Sequence, residues 1–377
     1  MTAMKKTTSN SIKRNLITAL SLMMTATMLA SCGSGYDGSE SRKSGSYNNE
    51  RTNAENYRYS NVTAGDTDGT ANIGGGYNTE EYNHLTENGY KLVSDEPLST
   101  FSTDVDTASY TNVRRMINDG WEVDPDAVRT EEFINYFKYD YEKPAEGAVS
   151  INTELSDCPW NSEAKLMLVG LQAREAKVKD VPTNLVFLID VSGSMEDEDK
   201  LPLVQQAFSM LAENLGADDR VSIVTYAGSD SVVLEGESGD NSEEIVSALN
   251  SLSAGGSTAG AAGITTAYKL AEEYFIEGGN NRVILATDGD LNVGLSSEEE
   301  LTDLISQKRD SGVYLSVLGF GSGNYKDNRL EALADNGNGN YAYIDSVDEA
   351  KRVLVTEMSG TLFTVAKDAK KSEAKRS

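Results

Sequence analysis

A chain of 377 residues carrying 60 Asp and Glu against 33 Lys and Arg has a formal net charge of −27 and a pI near 4.4. That balance speaks against a nucleic-acid partner, because phosphate contacts need clustered cations. The length allows one large domain or two ordinary ones, with extra segments at the ends.

The N-terminus reads first as an address. Lys5, Lys6, Lys13 and Arg14 precede an apolar run from Leu16 to Ala30, which meets Leu29-Ala30-Ser31-Cys32. A basic start, a short apolar stretch and small residues before a cut describe a secretory signal, and the run is too short for an ordinary membrane-spanning helix. LASC resembles the lipobox of bacterial lipoproteins. The resemblance implies that residues 1–31 are removed, that Cys32 is lipidated, and that the chain is lipid-anchored to a bacterial membrane outside the cytoplasm, in the cell envelope. With Cys32 so used, Cys158 stands alone, no intramolecular disulfide is available, and a small packed residue is expected there.

Residues 32–92 are Ser, Gly, Asn, Tyr, Thr and Glu with almost no aliphatic side chains. Such a segment cannot bury enough apolar area to order itself, so a flexible tether is expected. The only histidine, His84, falls in it. An ancillary region follows over 93–180. FSTDVDTASYTNVRRMINDG and DPDAVRTEEFINYFKYDY each predict a helix, and INTELSD and KLMLVGLQ predict strands.

From 181 to 360 strands and helices alternate. NLVFLID, RVSIVTYA, a short SVVLE, RVILATD, GVYLSVLGF and NYAYID read as strands. Between them LPLVQQAFSMLAENLG, SEEIVSALNSL, ITTAYKLAEEYF, EEELTDLISQKRD and SVDEAKRVLVTEM read as helices. The unbroken apolar run of NLVFLID marks a strand covered on both faces. The pattern predicts an α/β fold with a doubly wound, mainly parallel sheet of order 3-2-1-4-5-6, preceded by the small α+β ancillary region. Residues 361–377 form a tail.

In such a sheet ligands bind beyond the carboxyl ends of the strands where the order reverses. The first and fourth strands end there as LIDVSGS and LATDG, which sets Asp190 and Asp288 on neighbouring strands about 5 Å apart. No counter-charge is evident, and a hard divalent cation is the natural remedy. Ser192 and Ser194 add hydroxyls from the same loop, and Thr258 in SAGGSTAGAAG offers another neutral oxygen.

Asp190, Ser192 and Ser194 with Thr258 and Asp288 resemble the complete metal-ion-dependent adhesion site of von Willebrand factor type A domains, in the family order. The resemblance implies Mg²⁺, or Mn²⁺ or Ca²⁺, held by these five residues, and a protein partner that presents an acidic side chain. Segment 96–141 and DCPWN further resemble the N-terminal region of a bacterial lipoprotein family that places such a domain after it. Members usually continue past a stretch like GTLFTVAKDAK into another domain, so a truncated C-terminus is expected.

Other chemistries fit poorly. DGDLNVGLSSEE resembles an EF-hand loop, but Val293 stands where the turn needs glycine. GGSTAG lacks both the last glycine of a nucleophile elbow and the Gly-Lys of a phosphate loop. With His84 in the tether, no Ser-His-Asp or Cys-His mechanism is expected in the domain, and no catalytic residue is assigned. The expectation is a binding module. The alternatives are an envelope scaffold without metal-gated binding and, further off, a metal-assisted hydrolase.

Overall fold

The computed structural model describes residues 79–84, 86, 89–99, 105–174, 181–256, 260–289 and 298–357. The expected leader, Cys32, Thr258 and the tail lie outside the described residues.

Helix α1 (Ala108–Asn118) follows Thr107, whose side chain makes no capping hydrogen bond. The single helix expected over DPDAVRTEEFINYFKYDY is instead two pieces, a 3-10 turn at Pro125–Ala127 and α2 (Thr130–Tyr136). The turn is set by Pro125 at its first position and by Asp124, whose side chain accepts the Asp126 N–H. Between the pieces Val128 and Arg129 are extended, and Arg129 is buried against the carboxylates of Glu132, Asp327 and Glu331. That ion cluster outweighs local helix preference.

Strands β1 (Val149–Asp157) and β2 (Lys165–Ala173) form an antiparallel hairpin in register from Val149↔Ala173 to Asp157↔Lys165. Alternation puts Val149, Ile151 and Leu155 on the same face as Met167, Val169 and Leu171, with Ile151 opposite Leu171 and Leu155 opposite Met167. Leu155 is 68% and Met167 62% exposed, so this apolar face is open among the described residues. Cys158, just beyond β1, is free and buried.

The second sheet contains β3 (Thr183–Asp190), β4 (Arg220–Ala227), β5 (Ser229–Ser238), β6 (Asn280–Thr287), β7 (Val313–Phe320) and β8 (Tyr341–Ile344). Its order is β5-β4-β3-β6-β7-β8, the 3-2-1-4-5-6 arrangement expected. β5 alone runs antiparallel. It is longer than the expected SVVLE because it returns directly from β4 through Gly228, at φ +58°.

Both faces of the sheet are covered. Leu185, Phe187 and Ile189 of β3 pack with α3 (Leu201–Ala212), α4 (Ser242–Asn250) and the last helix. Val186 and Leu188 pack with α5 (Gly260–Glu273), α6 (Glu298–Asp310) and α7 (Asp327–Asn336). This explains why β3, β6 and β7 are buried at every residue. Helix α7 was not among the expected elements. The helix expected over 346–358 is α8 (Val347–Lys351) running into a π-helical turn, Arg352–Thr356.

The ancillary region is welded to this domain. Arg114 bridges Asp345 at 2.5 Å and Glu349 at 3.1 Å. Residues 79–82 correct the expected tether boundary. Glu81 bridges to Lys326, the Thr79 N–H donates to Gly323 O at 2.8 Å, and Glu80 pairs with Arg115 at 2.9 Å. Backbone pairing and one buried ion pair order this stretch, so its lack of aliphatic residues was a poor guide. Among the described residues no helix is long and apolar enough to cross a membrane.

Candidate metal centre

Strands β3 and β6 pair in parallel, and their last residues bring two polar loops together at the carboxyl edge of the sheet. Asp190, at the end of β3, is fully buried, and Asp288, one residue past β6, is 3% exposed. Burying a carboxylate is costly unless it is paired or hydrogen-bonded. Asp190 Oδ1 accepts the Ser192 N–H at 2.9 Å, and its Oδ2 accepts the Thr287 hydroxyl at 3.1 Å. Burial raises the Asp190 carboxyl to about 6. The Ser192 and Thr287 hydrogen bonds offset part of this, and the Asp288 charge adds to it.

The Ser192 and Ser194 hydroxyls lie 3.0 Å apart in the turn after β3. That turn is held by the loop leading to Thr258, since the Gly193 N–H donates to Gly256 O at 3.1 Å and the Gly255 N–H to Val191 O at 2.8 Å. Four of the five residues expected at the site, Asp190, Ser192, Ser194 and Asp288, are thus on connected loops. Thr258 lies outside the described residues. Gly289, at φ +97°, lets the second loop turn beneath α7's lead-in, where a Cβ would meet the Lys326 nitrogen at 2.6 Å.

Two residues at the site were not anticipated. Thr287 orients Asp190 and accepts the Gly289 N–H at 3.2 Å. Lys200 corrects the expectation of no counter-charge: its Nζ lies 3.2 Å from Asp288 Oδ2 and donates to Ser194 O at 2.8 Å.

No three His, Cys, Asp or Glu side chains converge on a metal position among the described residues. The donor set fits a hard cation even so, because two buried carboxylates and two hydroxyls are all-oxygen ligands. The ammonium of Lys200 balances part of the negative charge at Asp288.

Residues 184–356 match the family model described as von Willebrand factor type A domain, and residues 76–168 match one described as von Willebrand factor. Residues 184–356 thus have the von Willebrand factor type A fold, a mainly parallel sheet flanked by helices. The chain is 45% identical over 301 residues to Uncharacterized protein YfbK of Escherichia coli, covering 78% of this chain and 52% of that one. It is 31% identical over 195 residues to human Inter-alpha-trypsin inhibitor heavy chain H3, covering 49% and 22%. The chain spans about half the length, or less, of these relatives. Among solved structures, a von Willebrand factor type A protein from Catenulispora acidiphila aligns at TM-score 0.42 with 18% identity, over 59% of this chain and 51% of that one. Proximal thread matrix protein 1 of the mussel byssus, described with a zinc-occupied MIDAS motif, aligns at TM-score 0.40 with 22% identity, over 48% and 45%.

Proposed function

We propose that this chain is a lipid-anchored envelope module that binds a protein through a divalent cation held by Asp190, Ser192, Ser194, Thr258 and Asp288. The observation that carries the reading is the pair of buried carboxylates at the ends of neighbouring strands, with two hydroxyls 3.0 Å apart in the adjoining turn. A bound Mg²⁺, or Mn²⁺ or Ca²⁺, would supply a Lewis-acidic position that a partner's Asp or Glu side chain can ligate. The chain's own residues contribute charge and orientation. Asp190 is fixed by Ser192 and Thr287, and the serine turn is fixed by Gly256. The anchor rests on LASC and Cys32.

A scaffold that assembles envelope proteins without metal is favoured by one observation, the open apolar face of the β1–β2 hairpin. The two readings separate in a pull-down from envelope extract with Mg²⁺ and again with chelator. Metal-dependent capture of a protein, lost in Asp288→Ala, supports the first. Capture of the same proteins under both conditions supports the scaffold.

A further inference from the structure

Lys200 sits where local structure alone gives it no reason to be. It is the N-cap of α3, at the positive end of that helix dipole, and it is only 7% exposed. A cation there is disfavoured by the helix, and a buried ammonium is costly unless paired. Its stem is fixed from outside the helix. At Gly321, φ +72°, a Cβ would meet Lys200 Cε at 2.4 Å, and Gly321 O is in turn held by the Tyr343 hydroxyl at 2.6 Å. The close passage aims Nζ at Asp288 Oδ2, 3.2 Å away, and at Ser194 O, 2.8 Å away. Asp197, largely exposed, stands further off at 3.7 Å.

We propose that Lys200 is a tethered internal cation that competes with the divalent ion for the Asp190–Asp288 pair. Resting on the metal-site reading above, Lys200 neutralises Asp288 in the metal-free protein and weakens binding of the dication. The physical reason is direct. Without Lys200 the two carboxylates balance a dication, whereas with it each arriving ion meets a fixed positive charge a few ångströms away. At an effective dielectric near 20 that repulsion is strong enough to move an affinity by at least a factor of about ten.

The test is calorimetric titration of Mn²⁺ into the full chain and its variants, together with metal-free melting temperatures. Lys200→Met removes the charge and keeps the stem against Gly321, and Lys200→Arg keeps the charge. The expected result is at least tenfold tighter Mn²⁺ binding by Lys200→Met, a lower melting temperature for it in chelator, and a larger rise on adding Mn²⁺. Lys200→Arg stays near the wild-type affinity. Should Lys200→Met not fold without metal, Lys200→Gln, which can still donate to Ser194 O, replaces it. Equal or weaker Mn²⁺ binding by a natively folded neutral variant overturns the proposal and leaves the metal site standing. Absence of Mn²⁺ binding in both the wild type and the neutral variants overturns the metal-site reading itself.

Discussion

Asp106 Oδ1 accepts the backbone N–H of Tyr341 at 2.9 Å. Two residues along, the Thr111 hydroxyl donates to Tyr343 O at 2.8 Å. β8 is the edge of the six-stranded sheet, and the side of it turned away from β7 would present unpaired backbone groups. Two side chains of the ancillary region occupy that edge, so the region is part of how the sheet is finished. Asp106→Ala should strand a buried N–H and lower unfolding stability by about 1–3 kcal/mol. Urea denaturation of the two proteins measures it, and an unchanged midpoint would show that the edge needs no cap.

The second prediction concerns pH. Arg129 is buried against Glu132, Asp327 and Glu331, one cation for three carboxylates. Burial raises Glu331 to about 7, with Arg129 opposing the shift and Asp327 and Glu132 adding to it, and burial likewise raises Glu132 to about 7. A carboxyl whose folded pKa lies above its unfolded value holds its proton longer in the folded state. Its contribution to stability is present in full below about 4.5 and is lost as pH rises through about 7. Glu331→Gln should therefore leave stability nearly unchanged at pH 4.5. At pH 8 it should raise stability by about 1 kcal/mol, a figure discounted for the partial exposure of Glu331. Chemical denaturation at the two pH values reads the difference, and equal effects at both would refute the linkage.

Gly289 makes the third. Its positive φ and the 2.6 Å approach of the Lys326 nitrogen leave no room for a methyl group. Gly289→Ala should destabilise the domain by about 1–3 kcal/mol and weaken divalent-ion binding, because Asp288 precedes it. A variant with wild-type melting temperature and Mn²⁺ affinity would mean that the Asp288 loop tolerates displacement.

For the anchor, Cys32→Ser should move the protein from the membrane fraction to the soluble fraction or leave it uncleaved. Mass spectrometry of the mature N-terminus decides the matter: lipid retained by the variant would contradict the assignment of Cys32.

Much of the six-stranded sheet was legible because burial on both faces writes itself into sequence. NLVFLID and RVILATD are near-continuous apolar runs, and an abrupt change to Asp, Ser and Gly at their ends marks the edge of the core. The placement of Asp190, Ser192, Ser194 and Asp288 at the ends of β3 and β6 was legible for that reason. Lys200 was not, since a lysine after EDED reads as one more solvated charge, and only the fold brings Gly321 and Asp288 to it. Thr287 was hidden as the last residue of a strand. Helix α7 escaped because DNRLEALADN buries little beyond Leu330, Leu333 and Ala334 among its apolar side chains. Residues 79–82 escaped because main-chain pairing orders them, and main-chain pairing leaves no hydrophobic pattern.

The most direct measurement of the proposed site is calorimetric titration of Mn²⁺ or Mg²⁺ into the wild-type chain and Asp190→Ala, with melting temperatures taken alongside. Removing Asp190 deletes the buried carboxylate that Ser192 and Thr287 orient. It also relieves the Asp288 repulsion that helps raise the Asp190 pKa. The wild type should bind one ion saturably and melt higher with metal. Asp190→Ala, folded by circular dichroism, should bind none and show no metal-dependent rise. An identical metal response in the two proteins would contradict a cation site at Asp190.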